Sequence, residues 1–218
     1  MERELVITND GSHSLFVPKI NECYHSRHGS IVEAEHVFIK NGLLAENNKH
    51  LNILEVGFGT GLNALLTAQK VKQKNIYVSY HAIELYPVAK KEYTQLNFAE
   101  LIGLEKENLI LLHETKWEDI CQINNNFTLT KNNISAADYK TNIKFDIIYY
   151  DAFSPEKQPE LWNDNIFKKM HHFLKDDGFL VTYCAKGIVR RTLKAVGFEV
   201  ISLDGPPGKR QMTRANRK

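Results

Sequence analysis

Three glycines within five residues constrain this chain more than any other feature. The apolar run 51–56 stops at Gly57-Phe58-Gly59-Thr60-Gly61, and residues 62–71 follow at once with a helical pattern. Glycine tolerates the backbone angles of a tight turn and lets the main chain approach another group closely. A strand that turns through such a loop into a helix is the first half of a strand–helix–strand unit. That unit commits the chain to a sheet with parallel neighbours covered by helices.

The remaining pattern repeats the unit. Strands are predicted at 76–83, 109–112, 145–150, 179–184 and 198–203. Helices are predicted at 87–101, 159–174 and 187–196, the second opened by a proline in its first turn. Before the loop, residues 4–17 read as two strands around Asn9-Asp10-Gly11, and 29–40 as a helix, so a hairpin and a helix occupy about 1–45. Near the C-terminus, Gly205-Pro206-Pro207-Gly208 is a turn, and 210–215 returns as a last strand. Four residues can join only antiparallel neighbours. Residues 124–142, with five asparagines from 124 to 133, show no clear period and read as a surface insertion. The expectation is one α/β domain over 1–218, with a mostly parallel sheet and an antiparallel last strand.

The loop decides between two cofactor classes. A dinucleotide fingerprint, G-x-G-x-x-G, needs glycine at 57, 59 and 62, but position 62 is leucine. The spacing found is E-x-G-x-G-x-G, Glu55 to Gly61, which resembles motif I of the Rossmann-like S-adenosylmethionine methyltransferases. Glu55, Gly57, Gly59 and Gly61 are thus candidate cofactor residues, with Glu55 organising the loop. Asn63, one turn on, either helps hold the cofactor or serves the helix terminus. Glu84, at the end of the next strand, offers two acceptor oxygens to a ribose diol. Trp117 follows the predicted strand 109–112, where methyltransferases contact adenine; it either packs on the base or belongs to the core.

The strand 145–150 ends at Asp151-Ala152-Phe153-Ser154-Pro155. Ligands of open α/β sheets bind outside the carboxyl ends of the strands, so Asp151 stands near the reacting methyl. An amine acceptor must attack with a free lone pair, whereas an alkylammonium has a pKa of about 10.4. A carboxylate can bind that ammonium and assist its deprotonation, which makes Asp151 the candidate catalytic residue. The competing role is capping a turn. Phe153 can wall the pocket or stack on a base.

Charge is unevenly placed. Lys186 to Lys218 holds nine basic and two acidic residues, a net +7, while the rest of the chain carries −5. A basic segment on an acidic domain suggests a polyanion as partner, the alternative being a solvated tail. Lys186, Arg190, Arg191, Lys209 and Arg210 are the candidate contacts. Three cysteines without C-x-x-C spacing read as free thiols. No apolar stretch is long enough for a membrane helix, and residues 1–8 lack a signal-peptide core, so a cytoplasmic protein is expected. His13, His25, His28 and His36 do not show ligand spacing, and no metal is expected.

Several blocks together resemble the methyltransferase portion of the MnmC family, the bifunctional tRNA 5-methylaminomethyl-2-thiouridine biosynthesis proteins. They are Tyr24-His25-Ser26 with Gly29, the glycine loop through Asn63, Asp151-Ala152-Phe153-Ser154-Pro155 with Pro159-Glu160-Leu161-Trp162, Val189-Arg190-Arg191 with Gly197-Phe198, and Gly208-Lys209-Arg210-Gln211-Met212. The resemblance implies methylation, from S-adenosylmethionine, of the aminomethyl group on a tRNA wobble uridine. Asp151 would be catalytic, Tyr24 would lie at the cofactor or substrate, and the anticodon arm would meet the basic segment. Bifunctional members carry an FAD-dependent oxidase domain as well. A chain of 218 residues has no room for it, so a stand-alone methyltransferase working beside a separate oxidase is expected. Three other readings remain: a small-molecule amine methyl- or aminopropyltransferase, a non-catalytic RNA-binding module, and an NAD-linked oxidoreductase, which Leu62 opposes.

Overall fold

The computed structural model describes residues 2–218. At its N-terminal end β1 (Glu4–Ile7), β2 (His13–Val17) and β3 (Glu22–Cys23) form a small antiparallel sheet. It is followed by α1 (Ser30–Ala34), which continues as a π-helical segment over Glu35–Lys40.

The main sheet has eight strands. These are β4 (His50–Val56), β5 (Tyr77–Ile83), β6 (Cys121–Asn124), β7 (Phe127–Asn132), β8 (Phe145–Tyr150), β9 (Leu174–Thr182), β10 (Glu199–Asp204) and β11 (Gln211–Asn216). Their spatial order is β10-β11-β9-β8-β4-β5-β7-β6. β7, β5, β4, β8 and β9 run parallel, whereas β11 is antiparallel to both β9 and β10. The central strands β4 and β8 are buried on both faces, β8 at every position, as strands covered by helices must be. The helices are α2 (Leu62–Lys74), α3 (Lys90–Tyr93), α4 (Phe98–Leu101), α5 (Glu107–Glu114), α6 (Asp164–Phe173) and α7 (Gly187–Ala195). The architecture is the Rossmann-like one expected, with its antiparallel last strand.

Two stretches depart from the sequence reading. Residues 109–112 are not a strand but lie in α5, with Leu109 and Leu112 buried three apart on one helical face. The third parallel strand is β7, inside the asparagine-rich stretch read as an insertion. Phe127, Leu129 and Lys131 alternate inward along it. A lysine in the third inward position conceals the period of two. Its amine is accommodated by donating to the His113 carbonyl at 2.6 Å and by lying 4.6 Å from the Trp117 ring centre.

The predicted helix 87–101 is also divided, into α3 and α4. Asn97 between them is committed elsewhere. Its side chain accepts from His13 N at 2.8 Å and donates to the Gly11 carbonyl at 3.0 Å, tying this segment to the β1–β2 turn. The predicted helix 159–174 resolves into a 3-10 turn, Pro159–Leu161, and α6, which restarts where the Asn163 side chain accepts from Ile166 N. Among the described residues no helix is long and apolar enough to cross a membrane, and no group of three or more His, Cys, Asp or Glu side chains can hold a metal ion.

Candidate active site

β4, β5 and β8 end side by side, and their carboxyl ends open into a cavity of ≈ 270 Å³. Its floor is the glycine loop. Gly57 has φ 93°, and a Cβ there would lie 2.6 Å from the Asp151 carbonyl oxygen, so no other residue fits without displacing the Asp151 loop. Gly59 has φ 49°, and a Cβ on it would stand 3.0 Å from the Tyr24 ring. The small N-terminal sheet is therefore a roof resting on the loop. Arg3 secures it by donating to the Tyr24 hydroxyl (2.8 Å), the Glu92 carboxylate (3.0 Å) and the Tyr86 carbonyl (2.6 Å).

Glu84 lines the cavity half-buried. Its carboxylate accepts from Gly59 N at 2.9 Å and from Tyr86 N at 2.8 Å, which fixes its orientation while leaving lone pairs free. Glu55 does not line the cavity. It is fully buried behind the loop, where its Oε1 accepts from Asn63 at 2.9 Å and its Oε2 has no partner. Burial raises its carboxyl well above the usual range. Asn63 is buried too, and the same side-chain nitrogen donates to Asp151 Oδ2 at 2.8 Å. It lines the cavity and ties Glu55 to the Asp151 loop, and it makes no capping bond to the helix start.

The loop carrying Asp151 is held from several directions. Asp151 N donates to the Val56 carbonyl at 3.0 Å. The Tyr183 hydroxyl donates to the Ala152 carbonyl (2.8 Å), and the Trp162 indole to the Phe153 carbonyl (2.7 Å). Glu22, from the roof, accepts from both the backbone N (3.0 Å) and the hydroxyl (2.7 Å) of Ser154. Four side chains, Asn63, Tyr183, Trp162 and Glu22, thus hold the loop that presents one carboxylate to the cavity. Desolvation lifts its pKa to about 7, partly opposed by the Asn63 bond; Glu33 pushes the same way as burial and Lys209 against it.

A glycine-rich turn under a carboxylate that holds its backbone, with an ionisable acid across the cavity, is the setting of a methyl donor and an acceptor. Residues 106–218 match the profile of the S-adenosyl-L-methionine-dependent methyltransferases. This chain belongs to that family. The tRNA 5-methylaminomethyl-2-thiouridine biosynthesis bifunctional protein MnmC of Cupriavidus metallidurans is 31% identical over 229 residues, covering 97% of this chain and 33% of that protein. The protein of that name from a Marinomonas species is 31% identical over 215 residues, covering 89% of this chain and 31% of its own length. The chain thus spans about a third of the length of the curated relatives it matches. Among solved structures, MnmC2 from Aquifex aeolicus superposes with a TM-score of 0.80 at 25% identity, covering all of this chain and 70% of that one. Spermidine synthase from Thermotoga maritima, at a TM-score of 0.56 and 14% identity, shares the fold.

The methyltransferase uses S-adenosylmethionine, and the cavity suits it: Cβ-free backbone at Gly57 and Gly59, the oriented Glu84 carboxylate, and an apolar wall of Ile83, Ile134 and Ala136. Trp117 is not part of that wall. The loop after the third parallel strand follows β7, so residues 134–137 stand where the sequence reading placed Trp117, which packs instead on Lys131. Residues 115–119 follow α5 and precede β6 and β7.

The candidate acceptor residues divide. Tyr24 and Phe153 meet edge to face, ring centres 4.9 Å apart, and line both the cofactor cavity and a second one of ≈ 370 Å³ beside it. Lys209 lines the second cavity. Arg190 does not face a ligand. Its guanidinium donates to Thr213, Gln211, Ser202 and the Met212 carbonyl, clamping α7 onto β10 and β11. Lys186 pairs with Glu156, while Arg191 and Arg210 are exposed. Sequence reasoning passed over Glu33 and Glu22, whose contacts span 176 and 132 residues, and Tyr183, whose bond to Ala152 spans 31.

Proposed function

We propose that this methyltransferase converts 5-aminomethyl-2-thiouridine at the tRNA wobble position to 5-methylaminomethyl-2-thiouridine. The observation that carries the reading is the buried, four-point-anchored Asp151, half ionised at neutral pH, on the wall of the cofactor cavity. S-adenosylmethionine supplies an electrophilic methyl group, so the protein's task is to deliver a neutral amine. Asp151 as carboxylate accepts a proton from the bound ammonium, and the lone pair released is directed at the methyl. Asn63 holds the carboxylate through Oδ2, leaving Oδ1 for the amine. Phe153 and Tyr24 exclude water around it.

The relatives' bifunctional name fits a further expectation, that a second, oxidase activity supplies the primary amine. We read residues 1–218 as one methyltransferase domain acting in the cytoplasm. The anticodon arm is met by Arg191 and Arg210, which have no partners to satisfy, rather than by Arg190. A polyamine acceptor is disfavoured because the second cavity carries two acids and two bases, Glu22, Glu33, Arg27 and Lys209, and no net negative charge. The test is incubation with labelled S-adenosylmethionine and tRNA from cells lacking this modification, followed by nucleoside mass analysis. Methylation of 5-aminomethyl-2-thiouridine is expected; transfer to spermidine or putrescine alone would refute it.

A further inference from the structure

The second cavity lies across the Tyr24–Phe153 pair from the cofactor, sharing with the first cavity His25 and Ala152 besides those two rings. Four aromatic rings, Phe153, Tyr24, Tyr183 and Phe16, stand among otherwise mostly polar walls. Four charged side chains reach it. Glu22 is committed to Ser154, and Arg27 is exposed at the rim over Phe16. The remaining two, Glu33 and Lys209, form an ion pair. Glu33 is buried, with Oε1 accepting from Ser26 N at 3.1 Å. The Lys209 ammonium lies 4.2 Å from the centre of the Tyr183 ring. The pair lines the same cavity as Ala152 and Phe153, which follow Asp151 directly and also line the cofactor cavity, so the pair and Asp151 belong to one site.

An ion pair in an aromatic cleft presents one donor and one acceptor side by side. An ammonium keeps spare N–H bonds after pairing, and a carboxylate keeps spare lone pairs. The Watson–Crick edge of a uracil ring offers the complement, the O4 acceptor next to the N3–H donor. Cytosine offers the reverse, an N4 amino donor beside an N3 acceptor. In uracil the C5 substituent adjoins O4, on the side away from N3. A ring held by that edge therefore turns its C5 substituent away from the pair.

Resting on the proposed uridine substrate, we infer that the second cavity seats the acceptor pyrimidine between Phe153 and Tyr183, with Lys209 donating to O4 and Glu33 accepting from N3–H. The pair makes the enzyme specific for uracil over cytosine. The C5 aminomethyl group passes the edge of the Tyr24–Phe153 pair to Asp151. Lys209 is thereby a base-reading residue rather than the phosphate contact its place in the basic segment suggests.

The test compares two anticodon stem-loops, identical except that one carries 5-aminomethyluridine and the other 5-aminomethylcytidine at the wobble position. The wild-type enzyme should strongly prefer the first. Glu33→Gln and Lys209→Gln should each lower the uridine-to-cytidine ratio of kcat/KM by about 10-fold or more, the usual effect of leaving a buried polar group unpaired. S-adenosylmethionine affinity, measured by calorimetry, should be retained. A ratio is insensitive to the fraction of folded enzyme, so a loss of stability in one variant does not blur the reading. An unchanged ratio in both variants, with an active wild type, overturns this inference alone. A wild type that methylates neither stem-loop overturns the substrate reading and this inference with it.

Discussion

Replacing Asp151 by asparagine should stop the chemistry and stabilise the protein, and the second effect should depend on pH. Burial lifts the Asp151 carboxyl from an ordinary 3.8 to about 7. Between those values the folded protein holds a proton that the unfolded chain has released. Stability therefore falls as pH rises through the window, and the loss is complete above pH 7. Below 3.8 both states are protonated and the penalty vanishes. At about 1.4 kcal/mol per pH unit, the penalty is about 4 kcal/mol at pH 8 and about 2 kcal/mol at pH 5. Asparagine has the same shape, can accept the same bond from Asn63, and does not titrate. Other titrating groups are common to both proteins and cancel in the comparison. The variant should gain about 2–3 kcal/mol more at pH 8 than at pH 5, or about 4–12 °C in Tm for a chain of this size. Denaturant and thermal melts without cofactor at the two pH values measure this, and turnover on the same preparations should fall about 10²-fold or more. A stability gain that is equal at pH 5 and pH 8 would refute the argument that burial holds this carboxyl neutral.

The wild-type rate of the methyl-transfer step should rise with pH up to about 7 and then level, since Asp151 acts as the carboxylate; single-turnover measurements report it. Gly57→Ala should abolish cofactor binding in calorimetry and lower Tm, because its Cβ meets the Asp151 carbonyl. Trp117→Ala should leave S-adenosylmethionine affinity within about twofold, whereas Ala136→Phe, which fills the cavity wall, should abolish it. Arg190→Ala should cost about 2–4 kcal/mol in denaturant unfolding through the lost clamp on β10 and β11. Arg191→Ala should leave stability alone and flatten the salt dependence of tRNA binding by about 0.7–0.9 in log–log slope if it holds one phosphate.

Local patterns were legible where local forces decide them. The glycine loop, the strands on either side of α2 and the turn at Gly205–Gly208 all follow from φ preferences and apolar periods within a few residues. The acid at 151 was legible because a strand end has a known place in such a sheet. What escaped depends on distant partners. Leu109 and Leu112 suit a strand or a helix equally until the sheet has chosen its third strand. Lys131 spoils the alternation of β7 because its amine is satisfied by His113 and Trp117, on a different element. A third strand at 109–112 puts the expected adenine contact at Trp117, whereas the cavity wall that follows β7 is 134–137. Arg190 looks like any basic residue on a helix surface until β11 brings Thr213 and Gln211 beneath it. Glu33 and Lys209, 176 residues apart, meet only in the finished fold.

The strand order at one end of the sheet also governs how the chain matures. β10 reaches the sheet only through β11, and β11 pairs on its other side with β9. A nascent chain that has just completed β10 has nowhere to lay it until β11 has been made. During that interval β9 shows a bare edge, and the Arg190 clamp on α7 has nothing to grip. Strand insertion of this kind is slow, and bare edges are where incomplete chains adhere to one another. Losses to aggregation and the demand for chaperones should therefore originate at β9, with β11 acting as the latch that ends the exposure.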